Sequence, residues 1–504
     1  MPSHADLERY RLDLKGMRSP HGATPYLEAL ASYADREAGR YHVPGHKGGA
    51  AAGPVLRDHL GSALPLDVPA CTYGIDIGPE PTPLYRAERL AADAWGAQRT
   101  WFLVNGASEG SHVACLALAH RGRRVVVQRN VHSSTVHGLV LADLDPIFVD
   151  TTYDQELGVA HAMTPEALAS ALAAAPDAAG ALVVSPTYFG ATADIRALAD
   201  VAHGAGVPLI VDEAWGAHFA FHPGLPDDAL SSGADLVVHG THKTIGSLTQ
   251  SAMMHLGADG DSHLSVGALE RSLGLVRSTS PSSLLIGSLD AARSHAAIDG
   301  RALLDQAMGE VGLVRRAVRD VAGLEVFDDD ISKRPGVHGF DPLRIVVRTG
   351  HLCARRLARR LTEGSDVHLE LVTDRLIVVH FGLGEPVYEH GMRFVQALAA
   401  AVDSASGEDY GPALLEIPLP EPGPLAMSPR AAFFGPHDVV AFDDAEGRIS
   451  AETVVVYPPG IAGVVPGERL NAELIRWVGA LVEQGATLRG TFDGALDRIR
   501  VVRE

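Results

Sequence analysis

The sequence is poor in cysteine, in aromatic residues and in unbroken apolar runs. Three cysteines, Cys71, Cys115 and Cys353, stand far apart among 504 residues. They form neither a zinc spacing nor a disulfide framework, and a reducing cytoplasm is the expected compartment. No window approaches the roughly 18–20 uninterrupted apolar residues of a membrane helix, because Gly, Asp, Arg or His breaks every run. The opening stretch, MPSHADLERYRLDLKG, has acids and arginines but no apolar centre, which reads against a signal peptide. Basic residues are also scarce: 42 Lys and Arg face 62 Asp and Glu, a formal charge of −20. A field of that sign repels nucleic acid and anionic membrane, so neither is expected as a partner.

Apolar residues make up 46% and charged residues 21%, which suits a globular chain with material for a core. At roughly 150 residues per domain the length suggests about three domains, or one large catalytic unit with appendages. The central third carries short β-branched runs at Val125–Gln128, Pro146–Val149, Ala181–Ser185, Pro208–Asp212 and Leu236–His239. Most are apolar throughout, as strands buried on both faces are. Helical stretches such as Thr164–Ala175 and Asp194–Ala205 lie between them. The pattern predicts an α/β domain with a mostly parallel sheet and its functional loops along one edge.

Composition divides the rest. Residues 1–65 read as an N-terminal arm, with a helix near Pro25–Glu37 and a Gly/Pro/His loop at Tyr41–Gly49. The large domain then covers 66–330. After a linker near Asp328–Asp341, residues 331–416 read as a small α+β domain. Its expected strands are Leu343–Arg348 and Arg375–Phe381, and its helices Ala354–Glu363 and His390–Ala405. A Pro-rich joint, Ile417–Pro424, opens a C-terminal segment over 417–504.

Four elements just past predicted strands could carry chemistry. Gly240-Thr241-His242-Lys243-Thr244 places a lysine at a buried strand end, where desolvation lowers its pKa and makes it a competent Schiff-base nucleophile. Asp212, at the end of Pro208–Asp212, needs a partner, and a protonated pyridine nitrogen would be one. A metal is the weaker reading, because no second ligand stands at a usual spacing. Asn105-Gly106-Ala107-Ser108 opens a helix after a strand, a setting that binds phosphate. His132, in Arg129-Asn130-Val131-His132-Ser133-Ser134, could stack on an aromatic ring. Along the chain they run phosphate turn, stacking His132, Asp212 and Lys243, the layout of a pyridoxal 5′-phosphate enzyme of the aspartate-aminotransferase fold (fold type I).

The chain resembles the ornithine/lysine/arginine decarboxylases of that fold, in their short bacterial, arginine-decarboxylase-like form. The matching stretches are YHVPGHKGG (41–49), YGIDIGPEPTPL (73–84), NGASEGSH (105–112), RNVHSS (129–134), SPTYFG (185–190), VDEAWGAHF (211–219), THKTIGSLTQSAMMH (241–255) and RSTSPSSLLIGSLDAAR (277–293). AMSPRAAFF (426–434), GRISAE (447–452), VYPPGIAGVVPGE (456–468) and IRVVRE (499–504) match the C-terminal domain typical of the family.

The resemblance implies that Lys243 binds the cofactor covalently, Asp212 pairs with its ring nitrogen and His132 stacks on the ring. Ala107 and Ser108, with Thr241 or His242, would hold the phosphate, with Ala214 beside the ring. Thr279 would reach the phosphate of a second subunit, which implies a homodimer or a higher even oligomer with sites at the interface. Lys243 or His242 would return the proton to Cα. The expected reaction is decarboxylation of a basic L-amino acid, arginine ahead of lysine and ornithine. Acidic receptors for its distal cation are Asp76, Glu80, Glu370 and Glu452, and His46 is expected near a site. Trp215 stands where short-form members have histidine, although long-form members also carry tryptophan there. A different reaction of the same cofactor, such as transamination, remains the alternative.

Overall fold

The computed structural model describes residues 19–36, 38–260, 263–327, 329–405, 420–457, 461–483 and 487–504. The first eighteen residues of the expected arm, Asp328 of the linker and Ile417–Leu419 of the Pro-rich joint lie outside the described residues. Pro458–Gly460 of the C-terminal motif lies outside them too.

The β-branched runs form strands β2 (Arg124–Gln128), β3 (Asp145–Val149), β4 (Ala181–Val184), β5 (Leu209–Asp212) and β6 (Leu236–His239), joined by β1 (Arg99–Leu103) and β7 (Ala252–Leu256). They make one sheet in the order β1-β7-β6-β5-β4-β2-β3. Neighbours from β6 to β3 are parallel, while β7 runs antiparallel to both β6 and β1. Alternate residues feed two cores. Val126, Val183, Val211 and Val237 face one, and Val125, Val127, Leu182, Ile210 and Val238 face the other. Burial on both faces is why these runs are apolar rather than alternating.

Helices α1 (Pro25–Ala34), α2 (Pro83–Ala94), α3 (Gly106–Leu118), α4 (Ser133–Ala142), α5 (Pro165–Ala174), α6 (Ile195–Gly204), the single turn α7 (Thr241–Thr244) and α8 (Val266–Val276) belong to the arm and the sheet. Gly110 lets α3 lie against β6, since a Cβ there would fall 2.6 Å from a Val238 methyl. That approach carries the start of α3 to the strand ends.

Helix α9 (Ser283–Arg319), 37 residues long, links the large sheet to the small one. The small sheet contains β8 (Glu325–Val326), β9 (Arg344–Arg348), β10 (Leu371–Val372) and β11 (Leu376–His380), all antiparallel, in the order β8-β9-β11-β10. It shares a core with α9, α10 (Ala354–Ser365) and α11 (Val387–Ala405).

The C-terminal segment pairs β12 (His437–Ala441) with β16 (Arg498–Val502) and sets β13 (Val454–Tyr457) between β14 (Ile461–Val464) and β15 (Thr487–Arg489). It has its own core around Phe442, Leu474, Val478 and Ile499. Val455, Ala462 and Val465 nevertheless join the core of the large domain. A backbone bridge pairs Ile461 with His132. Arg129 donates to the carbonyls of Ala462 (2.8 Å) and Gly463 (3.0 Å) and meets buried Glu468 at 3.2 Å.

Candidate active site

Parallel pairing sets Asp212 opposite Val238, so β5 and β6 end together and their following turns share one edge. The turn after β6 folds tightly: Lys243 N donates to Gly240 O (2.8 Å) and Gly240 N to Ala214 O (3.2 Å). Gly240 has no room for a side chain, since a Cβ would meet Ala214 O at 2.7 Å and Lys243 Cδ at 3.3 Å.

The environment of Lys243 sets its chemistry. Burial brings its amine down to about 8, Asp212 and Glu370 pull it up, and the charge of Arg344 pushes it down. Asp212 is raised by burial, against the Lys243 charge and a hydrogen bond accepted from Ala214 N at 3.1 Å. His132 caps α4: its Nδ1 accepts from Ser134 N at 3.2 Å and lies 2.8 Å from the Ser134 hydroxyl. Accepting at Nδ1 leaves the ring proton on Nε2. Burial, then Lys243, hold this imidazole down to about 4, so it is neutral at pH 7.

The start of α3 is open. Gly106 has φ +71°, and Asn105 makes no side-chain cap, its Oδ1 accepting from Gln250 Nε2 at 3.0 Å. The first-turn amides of Ala107 and Ser108 therefore have no side-chain partner at the cap, as an anion site requires. Behind them, Thr241 Oγ1 donates to Ser251 O (3.3 Å) and accepts from Ser247 Oγ (3.0 Å). His242 Nδ1 donates to the same carbonyl at 2.8 Å, and burial lowers its pKa.

Trp215 is 8% exposed and forms the wall opposite. Lys243 Nζ lies 4.3 Å and Arg344 Cζ 4.0 Å from its ring centre. The rings of Tyr188 and His380 meet it edge-on, and its Nε1 has no hydrogen-bond partner among the described residues. His380 Nε2 donates to Lys243 O at 3.0 Å, and burial takes that imidazole down to about 3. Arg344 is fully buried. Its Nη1 donates to Tyr188 O (2.7 Å), its Nε lies 3.6 Å from Asp341, and its Nη2 has no partner among the described residues. Asp341 is held in turn by His218 at 3.2 Å.

The other predicted residues divide. Glu370 is exposed, yet its charge acts on Lys243, His242 and Arg344. Thr279 is exposed on the turn between α8 and α9. His46 Nε2 is 3.1 Å from Asp67. Asp76 accepts from the Tyr26 hydroxyl at 3.3 Å and is raised by burial to about 6. Exposed Glu80 accepts from Thr82 N at 3.1 Å, next to the start of α2. Glu452 is 3% exposed, and its two oxygens accept from Phe492 N (3.1 Å) and Arg500 N (3.0 Å), which braces the C-terminal segment. Sequence reasoning missed Arg344, Asp341 and His380. The available signal was Asp341 and Arg344 three residues apart around an otherwise apolar strand.

The sheet order and the amine at its edge define a fold type I enzyme with a mostly parallel central sheet. Residues 24–341 match the major domain, and 423–493 the C-terminal domain, of the Orn/Lys/Arg decarboxylases. The chain belongs to that family and is a decarboxylase. It is 34% identical over 484 residues to arginine decarboxylase of Bacillus subtilis (strain 168), covering 95% of this chain and 98% of the relative. It is 26% identical over 585 residues to lysine decarboxylase LdcA of Pseudomonas aeruginosa, covering 93% of this chain and 77% of the relative. The fold matches that of Escherichia coli constitutive lysine decarboxylase with a TM-score of 0.79 at 18% identity, over 96% of this chain and 82% of that one. Family and fold together imply pyridoxal 5′-phosphate as cofactor.

Proposed function

We propose that this protein converts a basic L-amino acid, arginine ahead of lysine and ornithine, to its amine and CO₂ with pyridoxal 5′-phosphate. The observation that carries the reading is Lys243, an amine held near 8 beside the buried carboxylate of Asp212. The residues fit that cofactor. The open start of α3 suits its phosphate, and among the described residues Lys243 is the one cation whose charge acts on Asp212. When bound, the cofactor supplies the electron sink for the Cα–carboxylate bond.

The chain's own residues do the rest. Lys243 Nζ holds the cofactor, and its depressed pKa leaves a usable fraction of neutral amine at pH 7. Asp212 would keep a proton on the ring nitrogen. Neutral His132 and Ala214 would hold the ring. The Ala107 and Ser108 amides, aided by Thr241 and His242, would hold the phosphate, and Thr279 would serve the phosphate of a second subunit. Trp215 would exclude water. Lys243 or His242 would deliver the proton to Cα. Glu370 is the favoured receptor for the distal cation, because it alone among the four candidate acids acts electrostatically on Lys243.

The same reading takes the protein as a cytoplasmic homodimer or higher even oligomer. Apolar side chains stand exposed on the arm, in the loop before α2 and beside the Thr279 turn: Tyr41 is 96% exposed, Val43 69%, Tyr73 71% and Leu275 77%. An obligate interface would cover them.

One observation favours a second reading. The buried Nη2 of Arg344, without a partner among the described residues, would fix a substrate carboxylate rather than release it, which would favour transamination. The test is purified protein with each basic amino acid, measuring CO₂, amine and keto acid. Amine and CO₂ are expected, from arginine first. A keto acid would establish the second reading, and no product from any of the three would sink both.

A further inference from the structure

Three side chains that the reaction does not use converge on the edge of the large sheet opposite Lys243. Asp235 immediately precedes β6, His203 lies in the last turn of α6 and His263 follows β7. Because β7 returns antiparallel to β6, with Leu256 opposite Leu236, the chain after β7 comes back to Asp235. Arg121 holds that return by donating to His263 O at 2.8 Å and to Gly206 O at 3.1 Å.

The geometry is convergent. Asp235 is 2% exposed and spreads its carboxylate over both histidines. Its Oδ1 is 2.7 Å from His263 Nδ1, and its Oδ2 is 2.9 Å from His203 Nε2. Oδ2 also accepts from Leu209 N at 2.7 Å. The two imidazoles are stacked, with centroids 4.7 Å apart and planes at 15°. All three ligand atoms lie within 4.8 Å of one another. The side chains of His203 and His263 are 32% and 25% exposed, so the cluster opens to solvent.

Ligand atoms bonded to one ion at about 2.0–2.1 Å sit roughly 3–3.5 Å from each other. Bringing these atoms from separations of up to 4.8 Å into that range closes them by as much as about an ångström, and the two rings, now within 15° of parallel, turn so that their planes meet at the ion. Each imidazole presents a lone pair there when its proton is carried on its other nitrogen. The Leu209 N–H would keep Oδ2 oriented while Oδ1 turns to the ion. Two imidazoles and one carboxylate suit zinc, whereas calcium and magnesium prefer oxygen alone.

We infer that His203, Asp235 and His263 form a Zn²⁺ site, with water in the fourth position, that clamps the chain after β7 to α6. The site is independent of the proposed reaction.

The test is calorimetric titration of chelator-treated, cofactor-loaded enzyme with Zn²⁺, for the wild type, His203→Ala, His263→Ala and His263→Gln. The glutamine variant can still hydrogen-bond Asp235, so it separates loss of the ion from loss of the network. About one Zn²⁺ per chain is expected in the wild type, bound at least about tenfold more weakly in every variant. Zinc should raise the thermal midpoint of the wild type alone, and zinc-free activity should be the same in all four proteins. Equal zinc binding by wild type and variants, or none by the wild type, would overturn the assignment.

Discussion

The amine of Lys243 lies over the face of Trp215, 4.3 Å from the ring centre. The indole favours the charged form by cation–π attraction, while the dry surroundings favour the neutral form. Desolvation is the larger effect, and the amine falls to about 8.

That balance costs the cofactor-free protein stability. Between pH 8 and the ordinary lysine value near 10.5, the unfolded chain holds a proton that the folded chain has lost. Stability should therefore rise with pH across this window, and below pH 8 the penalty is constant. Lys243→Met removes it, stabilising cofactor-free protein at pH 7 by about 1–3 kcal/mol, with the advantage shrinking toward pH 10. Denaturant unfolding of both proteins at the two pH values checks this. The same variant should lose decarboxylation and the absorbance near ~420 nm expected of a lysine-bound cofactor. A band that persists would mean that another lysine holds the cofactor.

Arg344 lowers the Lys243 pKa by its charge. Arg344→Met should move the rise of cofactor uptake with pH, set by deprotonation of Lys243, upward from about pH 8, followed as absorbance against pH. It also strips buried Asp341 of the Arg344 cation, at a cost of about 3–5 kcal/mol. An unmoved limb in a folded variant would remove Arg344 from the electrostatics of the site.

The candidate acids make opposite predictions. Glu370→Gln should raise the arginine KM about tenfold with kcat little changed, the loss of one charge-assisted contact. Glu452→Gln should leave KM alone and lower the thermal midpoint, because its oxygens serve backbone amides. Steady-state kinetics and a melting curve on each variant separate the two. A KM effect from Glu452→Gln would reverse the assignment.

The arm is fastened by a buried pair. Arg293 donates to Asp290 at 2.6 Å and to His21 O at 2.7 Å, while Asp290 accepts from Tyr26 N at 2.9 Å. Arg293→Ala leaves Asp290 buried without its cation and should cost about 3–5 kcal/mol. Sedimentation at several concentrations should also show weakened association, since the arm carries exposed apolar residues.

The central strands were legible because they are β-branched and buried on both faces: Leu236–His239 is expected and observed over the same residues. The four elements past the strands were legible for the same reason, since parallel strands gather their ends at one edge. Strand β7 was not, because Ala-Met-Met-His-Leu lacks β-branched residues and takes its place by pairing between β1 and β6. The length of α9 escaped too, since its apolar stripe serves two cores in turn. Arg344 was hidden by distance: it comes from the small sheet and lies over Trp215 only in the folded chain. The burial of Glu452 among backbone amides could not be read from residue type.

The bridge between His132 and Ile461 gives the molecule a built-in order of completion. A chain leaving the ribosome already contains Asp212, Lys243, Arg344 and Glu370 long before residue 461 emerges. Until then the loop bearing His132 lacks its edge partner, and Arg129 lacks the carbonyls that it grips. A product truncated before residue 461 would thus carry every reacting group without a finished pocket.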